Sequence, residues 1–185
     1  MVMNIFPLDV RSIGGSDVLA GRLAGEAARP FFEDALGSDG EHGVVILDFG
    51  EVHLATSSYF LGAFEWLWTS AEVRARDLFP VLANVNQETQ DEVSLALKAK
   101  GFRALFGTFG YSGLSDVIPF NLESDAAETY ALLAGLKEAT ATDLFRLNPK
   151  IQPTGWSNRL ALLYEHRLLR RRKQGRQLFY ALSWR

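Results

Sequence analysis

Three residue types that could act together in hydrolysis lie close along the chain: Asp48, His53 and the serine pair Ser57 and Ser58. A catalytic triad needs a serine within hydrogen-bond distance of a base that a third group orients. Nothing in this spacing requires that geometry, and no G-x-S-x-G sequence is present. A serine at the start of a helix also has a simpler role as a cap. The sequence therefore predicts no catalytic residue and no enzyme.

Metal and cofactor chemistry has no sequence signal either. The chain has no cysteine, and its three histidines, at positions 42, 53 and 166, are scattered singly. Ligand spacing for a metal is therefore missing. Neither the phosphate-binding motif G-x-x-x-x-G-K-[ST] nor the dinucleotide motif G-x-G-x-x-G occurs among the 16 glycines. We expect no metal and no cofactor.

The remaining chemistry is cationic and is concentrated at one end of the chain. Residues 1–120 carry 8 Lys+Arg and 16 Asp+Glu, a net charge of -8, whereas residues 121–185 carry 11 and 6, a net charge of +5. Residues 166–185 hold seven basic residues and no acid. This asymmetry indicates two units, one of which meets a polyanion or an acidic protein surface. A solvated basic tail is the alternative.

The order of elements in residues 121–185 narrows that choice. The spacing of Tyr130, Leu133 and Leu136 predicts a first helix. A capping signature at Thr140 and Asp143 opens a short second helix, which Asn148-Pro149 ends. A third helix starts at Pro153 or Thr154. Two strand candidates, 168–172 and 176–184, then flank a turn at Lys173-Gln174-Gly175.

Residues 159–182, RLALLYEHRLLRRRKQGRQLFYAL, resemble the recognition helix and wing of winged helix-turn-helix regulators of the ArsR and MarR type. Arg167 stands where these regulators have a glycine. The resemblance implies that the third helix enters a DNA groove and that the hairpin contacts phosphate. It places Thr154, Trp156, Ser157, Asn158 and Arg159 against bases or backbone, and Arg171, Arg172, Lys173 and Arg176 against phosphates. Two alternatives stay open: Trp156 as core, and a winged helix that binds protein rather than DNA.

Strand and helix patterns alternate through residues 1–120. Strands are predicted at 4–10, 43–49 and 78–85. Helices are predicted at 18–36, where Leu23, Ala27 and Phe31 recur at a spacing of four, at 57–70, and between Asn86 and Gly101. Pro30 is expected to kink or split the first of these helices. The alternation predicts an α/β domain with a mixed sheet.

Two segments of this domain, LDFGEVHLATSSYFLGAF (47–64) and YSGLSDVIPF (111–120), resemble the STAS domain of anti-sigma-factor antagonists, and more closely a STAS-like family of unassigned role. In the antagonists a helix begins Asp-Ser-Ser-Gly, and its first serine is phosphorylated to break a partner complex. Ser57 occupies that position and Ser58 follows it, with Thr56 and Tyr59 in place of the acid and the glycine. The resemblance implies a phospho-switch at Ser57 or Ser58. Helix capping by Thr56 or Ser57 is the alternative.

The helix at 57–70 is apolar over a wide arc. Phe60, Phe64 and Leu67 form one stripe, and Tyr59 and Trp66 lie in a second stripe beside it. One sheet face cannot cover so wide an arc. We therefore expect Tyr59 and Trp66 to contact a second subunit, the C-terminal unit or an outside partner, with deep burial as the alternative.

The fold class expected from these observations is an α/β STAS-like domain in residues 1–120 followed by a winged helix (α+β) in residues 121–185. The expected function is that of a cytoplasmic bacterial regulator that binds double-stranded DNA, as a homodimer if it reads two half-sites. The alternative is a partner-switching protein that binds a kinase-like ATPase or a sigma regulator and no DNA. No stretch reaches the roughly 20 apolar residues that span a bilayer, so no membrane is expected.

Overall fold

A computed structural model describes residues 4–37 and 42–185 of the chain. Contacts divide the chain into two compact units, Met1–Asn121 and Leu122–Arg185. The fold is mixed α/β with a mostly parallel central sheet, as the alternation of strand and helix patterns predicted.

The first unit begins with a strand and then alternates between helices and strands. Its strands are β1 (Asn4–Asp9), β2 (Val18–Leu19), β3 (Gly43–Asp48), β4 (Leu54–Ala55), β5 (Leu78–Ala83), β6 (Ala104–Gly110) and β7 (Gly113–Phe120). Its helices are α1 (Val10–Gly14), α2 (Arg22–Leu36), α3 (Ser57–Phe64), α4 (Trp66–Thr69), α5 (Ala71–Ala75) and α6 (Gln87–Lys100).

Five strands form the central sheet in the order β1-β3-β5-β6-β7. The first four are parallel to their neighbours, and β7 returns antiparallel to β6. β3 is buried along its length up to Asp48, and β5 is buried throughout. Burial on both faces is the property that the continuous apolar run at 43–49 predicted.

The core of this unit forms where alternate residues of the central strands meet the helices. Val45 and Leu47 of β3 share one buried cluster with Phe32 of α2, Phe64 of α3 and Leu97 of α6. Aromatic rings interlock in this cluster, with the centroids of Phe32 and Phe64 4.6 Å apart in an edge-to-face arrangement. α2 and α3 are therefore held to each other by close ring packing as well as by buried apolar area.

The closest helix pair in this unit is α2 with α3, and two glycines make the approach possible. A Cβ added at Gly62 would lie 2.5 Å from the carbonyl oxygen of Arg22, and one added at Gly25 would overlap the carbonyl oxygen of Tyr59. Real Cβ atoms do not approach backbone oxygen so closely, so the backbones of the two helices touch where neither side has a side chain.

This contact decides which face of α2 is buried. The buried residues are Gly25, Ala28, Phe32 and Leu36, whereas Leu23 is 82% exposed and Phe31 is 65% exposed. The predicted helix is therefore present, and the stripe of Leu23, Ala27 and Phe31 that predicted it faces outward. Pro30 lies within a single helix and does not split it. Residues 18 and 19, assigned to this helix from sequence, form β2 instead.

The prediction that Tyr59 and Trp66 contact a partner is wrong. Tyr59 is 2% exposed and Trp66 is 7% exposed, and both belong to the core cluster of the first unit. The indole N–H of Trp66 donates to the carbonyl of Ala63, and the guanidinium of Arg29 lies 5.9 Å from its ring. The physical reason is that α3 contacts both α2 and α6, so helices on two sides cover the apolar arc that a sheet alone would leave open.

The second unit is three helices followed by a hairpin: α7 (Ser124–Ala134), α8 (Ala141–Leu147), α9 (Pro153–Glu165), β8 (Leu169–Gln174) and β9 (Gln177–Leu182). Thr140 and Asp143 form the predicted capping box at the start of α8. The backbone N–H of Thr140, and after it the Thr140 hydroxyl, donate to the Asp143 carboxylate and hold its pKa below the usual value. Ala139, just before α8, makes a single antiparallel bridge to Tyr180 of β9. That bridge joins the connection between α7 and α8 to the hairpin.

None of the helices in the described ranges has the length and apolar character needed to cross a membrane.

The close contact between α2 and α3 predicts how much stability a larger residue at Gly62 would cost. Replacing Gly62 by alanine should destabilise the first unit by about 3 kcal/mol, because overpacking that must shift backbone is costly. Gly110→Ala is the matched control, since no heavy atom of the described residues lies within 4 Å of its added Cβ. Urea unfolding followed by circular dichroism measures both. Equal stabilities for the two variants would contradict the proposed close contact.

Candidate nucleic-acid interface

The outward side of α9 is polar in its first half. Pro153 is at the first helical position, and Gln152 before it makes no side-chain cap hydrogen bond. Thr154, Ser157 and Asn158 are exposed. Their spacing of three and four residues places them on one face of the helix. Three predicted contact residues therefore share one accessible surface.

Trp156 does not belong to this surface, and the prediction that it faces DNA is wrong. Its side chain is fully buried, and its indole N–H donates to the carbonyl of Asn148 at 3.3 Å. Leu160 and Leu163, at helical spacing from it, are also fully buried. The tryptophan anchors α9 to the core of its unit, which was the alternative for this residue.

The hairpin β8–β9 closes tightly. Gln174 pairs with Gln177, so the turn consists of Gly175 and Arg176 alone. Gly175 has a φ of 60°, the left-handed region that glycine adopts without strain. The predicted hairpin is thus present with different limits, because Lys173 and Gln174 extend β8 and Arg176 belongs to the turn.

Three exposed cations of the hairpin form no ion pair with a carboxylate among the described residues: Arg171, Lys173 and Arg176. All three are exposed. Side chains alternate along a strand, so Arg171 and Lys173 share one face of β8. The guanidinium of Arg171 stacks 4.1 Å from the ring centroid of Tyr164 on α9. This stack links the cationic face of the hairpin to the helix.

Carboxylates hold the other two predicted arginines. Arg172 binds Glu138 through two hydrogen bonds, from Nε at 2.8 Å and from a terminal nitrogen at 2.5 Å. This side-chain pairing lowers the pKa of Glu138 and raises that of Arg172. Arg159 pairs with Asp125 at 2.8 Å and Glu128 at 3.1 Å, both on α7. These two arginines are accessible in part but their charge is largely compensated within the unit.

Sequence reasoning missed these carboxylates and two polar residues before α9. Glu138 lies 34 residues from Arg172, so no local spacing signal connects them. Lys150 and Gln152 are exposed directly before Pro153. Pro153 could have indicated these two residues, because the N-terminus of a helix that begins with proline presents unpaired amides to an anion.

Arg167 has a backbone conformation that glycine adopts more readily than other residues. Its φ is 65°, and α9 ends two residues before it at Glu165. The side chain is 5% exposed. The chain therefore makes the sharp reversal that a glycine allows, and Arg167 adopts the left-handed backbone at a cost of about 1 kcal/mol.

Ser57 and Ser58, the residues predicted as a phospho-switch, lie at the start of α3. Thr56 is the cap, and its hydroxyl accepts from the N–H of Tyr59 at 3.3 Å. The N–H of Ser57 donates to the carboxylate of Glu92 at 2.7 Å, and this bond lowers the pKa of Glu92. Ser57 is half-buried and Ser58 is exposed. A carboxylate of the same chain thus already occupies the position that favours an anion.

The residues considered for hydrolysis, Asp48, His53 and Ser57, are not hydrogen-bonded to one another in the described part of the chain. Asp48 accepts from the side chain of Asn84 at 2.9 Å and from the N–H of Gly50. Among residues 4–37 and 42–185, no hydrogen bond joins His53 to Asp48 or Ser57. No group of three or more potential ligands in the described chain could hold a metal ion.

Comparison with known proteins gives no match to this chain: no family model, no curated protein and no solved structure is similar to it.

The hydrogen bond between Ser57 and Glu92 predicts how a negative charge at position 57 affects stability. Ser57→Asp should lower stability by about 1 kcal/mol, because it places a second carboxylate beside Glu92. In a Glu92→Gln background the same change should be neutral or stabilising, since the new carboxylate then meets the helix N-terminus without repulsion. Ser58→Asp, at an exposed position, is the control. Urea midpoints measure all four variants, and a loss at Ser57 that is the same in both backgrounds would refute the coupling.

Proposed function

We propose that residues 121–185 form a winged helix that binds double-stranded DNA, and that the chain is a regulator in which this unit is joined to a STAS-like domain in residues 1–120. The order α7, Ala139, α8, α9, β8, β9 supports the proposal. In a winged helix the third helix enters the major groove and the hairpin reaches the backbone beside it. The role requires no catalysis.

The observation that carries the proposal is that some basic side chains of the hairpin are exposed without a carboxylate partner, whereas another is neutralised. Arg171, Lys173 and Arg176 are exposed, and within the described residues no carboxylate neutralises them. Arg172 on the same strand differs, because Glu138 neutralises it. Three exposed cations without a carboxylate partner lie on one hairpin, and Arg171 stacks on Tyr164 of the helix whose outward face is polar. This arrangement suits a phosphate backbone with bases beside it.

The polar face of α9 favours particular bases. Arginine is the usual reader of guanine, and Arg159 is held by Asp125 and Glu128. Asn158 is exposed and has the paired donor and acceptor that match adenine N6 and N7 in the major groove. Thr154 and Ser157 add hydroxyls that accept or donate. We therefore propose that the sites this face reads contain adenine at the position facing Asn158.

The first test measures phosphate contacts. Changing Arg171, Lys173 and Arg176 to alanine should weaken binding to random-sequence duplex DNA at least about tenfold at low salt, and should reduce the salt slope by about 0.9 for each phosphate contact removed. A labelled duplex and fluorescence anisotropy at about 50 and about 200 mM salt give both quantities.

The matched control changes Arg11, Arg74 and Lys98 of the first unit to alanine, which removes the same charge from exposed positions. It should bind DNA as the unchanged chain does. Absence of binding by the unchanged chain at low salt would refute the proposal and favour the partner-switching alternative. Equal losses in the two triple variants would show that net charge, rather than the hairpin, drives binding.

The second test concerns base selection. Sequences selected from a randomised duplex pool by the full chain should contain an adenine preference that Asn158→Ala abolishes, with affinity for random duplex within about threefold, because one base contact adds little to phosphate-driven binding. Thr142→Ala, at an exposed position of α8, should leave the selected sequence unchanged. An unaltered preference in the Asn158 variant would remove this residue as a base reader.

A further inference from the structure

The outward face of α2 is an apolar stripe that the first unit leaves uncovered. Leu23 and Phe31 are 82% and 65% exposed, and Ala27 lies between them at the same spacing of four residues. Leu, Ala and Phe at this spacing form one continuous strip along a helix. The opposite face, with Gly25 and Phe32, packs into the core. Amphipathic helices normally show polar residues to solvent, so this one is apolar on both sides.

The stripe has a symmetry that suits a second copy of the same helix. Its two large residues lie equally far from Ala27, about 6 Å along the axis on either side. A two-fold rotation at Ala27 therefore places Leu23 of one copy against Phe31 of the other, twice. The small side chain of Ala27 lets the two helices approach closely at the axis. An isologous contact needs this kind of self-complementary patch.

Charge supports the antiparallel arrangement. Asp34 lies about 10.5 Å beyond Ala27 and two turns along the helix, on the same outward side. α2 begins after Gly21, its first turn contains no acid, and no side chain in the described part of the protein caps it by a hydrogen bond. Asp34 has no cationic partner among the described residues. In the antiparallel pair Asp34 lies opposite Ala20 of the partner subunit, one residue before the N-cap, so its carboxylate lies at the positive end of the partner's helix.

We infer that the chain forms a symmetric dimer through antiparallel packing of α2 against α2 of a second copy. The contact is one helix pair and is smaller than the roughly 1,600 Å² of a standard interface. The dimer is therefore weak and concentration-dependent. It does not rest on DNA binding, and its test contains no DNA.

The chain has no cysteine, which allows a direct test of the axis. In the full chain carrying Ala27→Cys, the two thiols should be adjacent, and mild oxidation should give a covalent dimer whose yield rises with protein concentration. Leu95→Cys is the matched control, because Leu95 is 62% exposed on α6 and lies outside the stripe. It should give little dimer. Equal yields from the two variants, or none from Ala27→Cys, would overturn the inference.

The antiparallel direction has its own test. Mixing the full chain carrying Leu23→Cys with the full chain carrying Phe31→Cys should give mainly mixed dimers on oxidation, because each residue faces the other across the axis. Dimers of each variant with itself in equal or greater yield would overturn the antiparallel arrangement.

Sedimentation velocity on cysteine-free protein completes the test. The unchanged chain should show a monomer–dimer equilibrium, and Phe31→Glu should raise its dissociation constant at least about tenfold, because a charge then replaces one of the two large apolar residues of the contact. Leu95→Glu should leave it unchanged. Circular dichroism verifies that both variants are folded, as substitutions at exposed positions allow. A monomer at every concentration, or a dimer that Phe31→Glu does not weaken, would overturn the inference.

Discussion

The backbone contact of α2 with α3 at Gly25 and Gly62 is the constraint on which the first unit depends. Two helices can approach this closely only where both lack a side chain, so the pair of glycines sets the rotation of each helix about its axis. That rotation buries Phe32 and Phe64 together and leaves Leu23 and Phe31 outside. A hydrophobic surface is thus exposed because the glycine side of the helix is needed for packing.

In the second unit, carboxylates determine which basic side chains are neutralised within the unit. Glu138 forms an ion pair with Arg172, and Asp125 and Glu128 form ion pairs with Arg159. The exposed cations Arg171, Lys173 and Arg176 form no such pair among the described residues. Trp156 anchors α9 from the inside, so the polar residues of the helix turn outward. Ion pairs within the unit therefore determine which of its basic side chains remain available to bind a ligand.

Much of the architecture was predictable from local patterns. The buried run at 43–49, the cap at Thr140 and Asp143, the proline at the start of α9 and the glycine in the hairpin turn all act through neighbours a few residues away. For the candidate site, the exposure of Thr154, Ser157, Asn158 and the hairpin cations is compatible with the predicted DNA contacts, which stay a prediction. Trp156 was assigned wrongly, because an aromatic residue at helical spacing fits a core and a ligand face equally well.

The sequence by itself determined the order and type of most elements and the concentration of positive charge near the end of the chain, because these depend on composition and on contacts between near neighbours. Only the tertiary structure decided which face of α2 is buried, whether Tyr59 and Trp66 are accessible, and which arginines are compensated. Each of these depends on partners about 30 or more residues away, such as Glu138 for Arg172 and Gly62 for Gly25. No periodicity within one helix or strand carries that information.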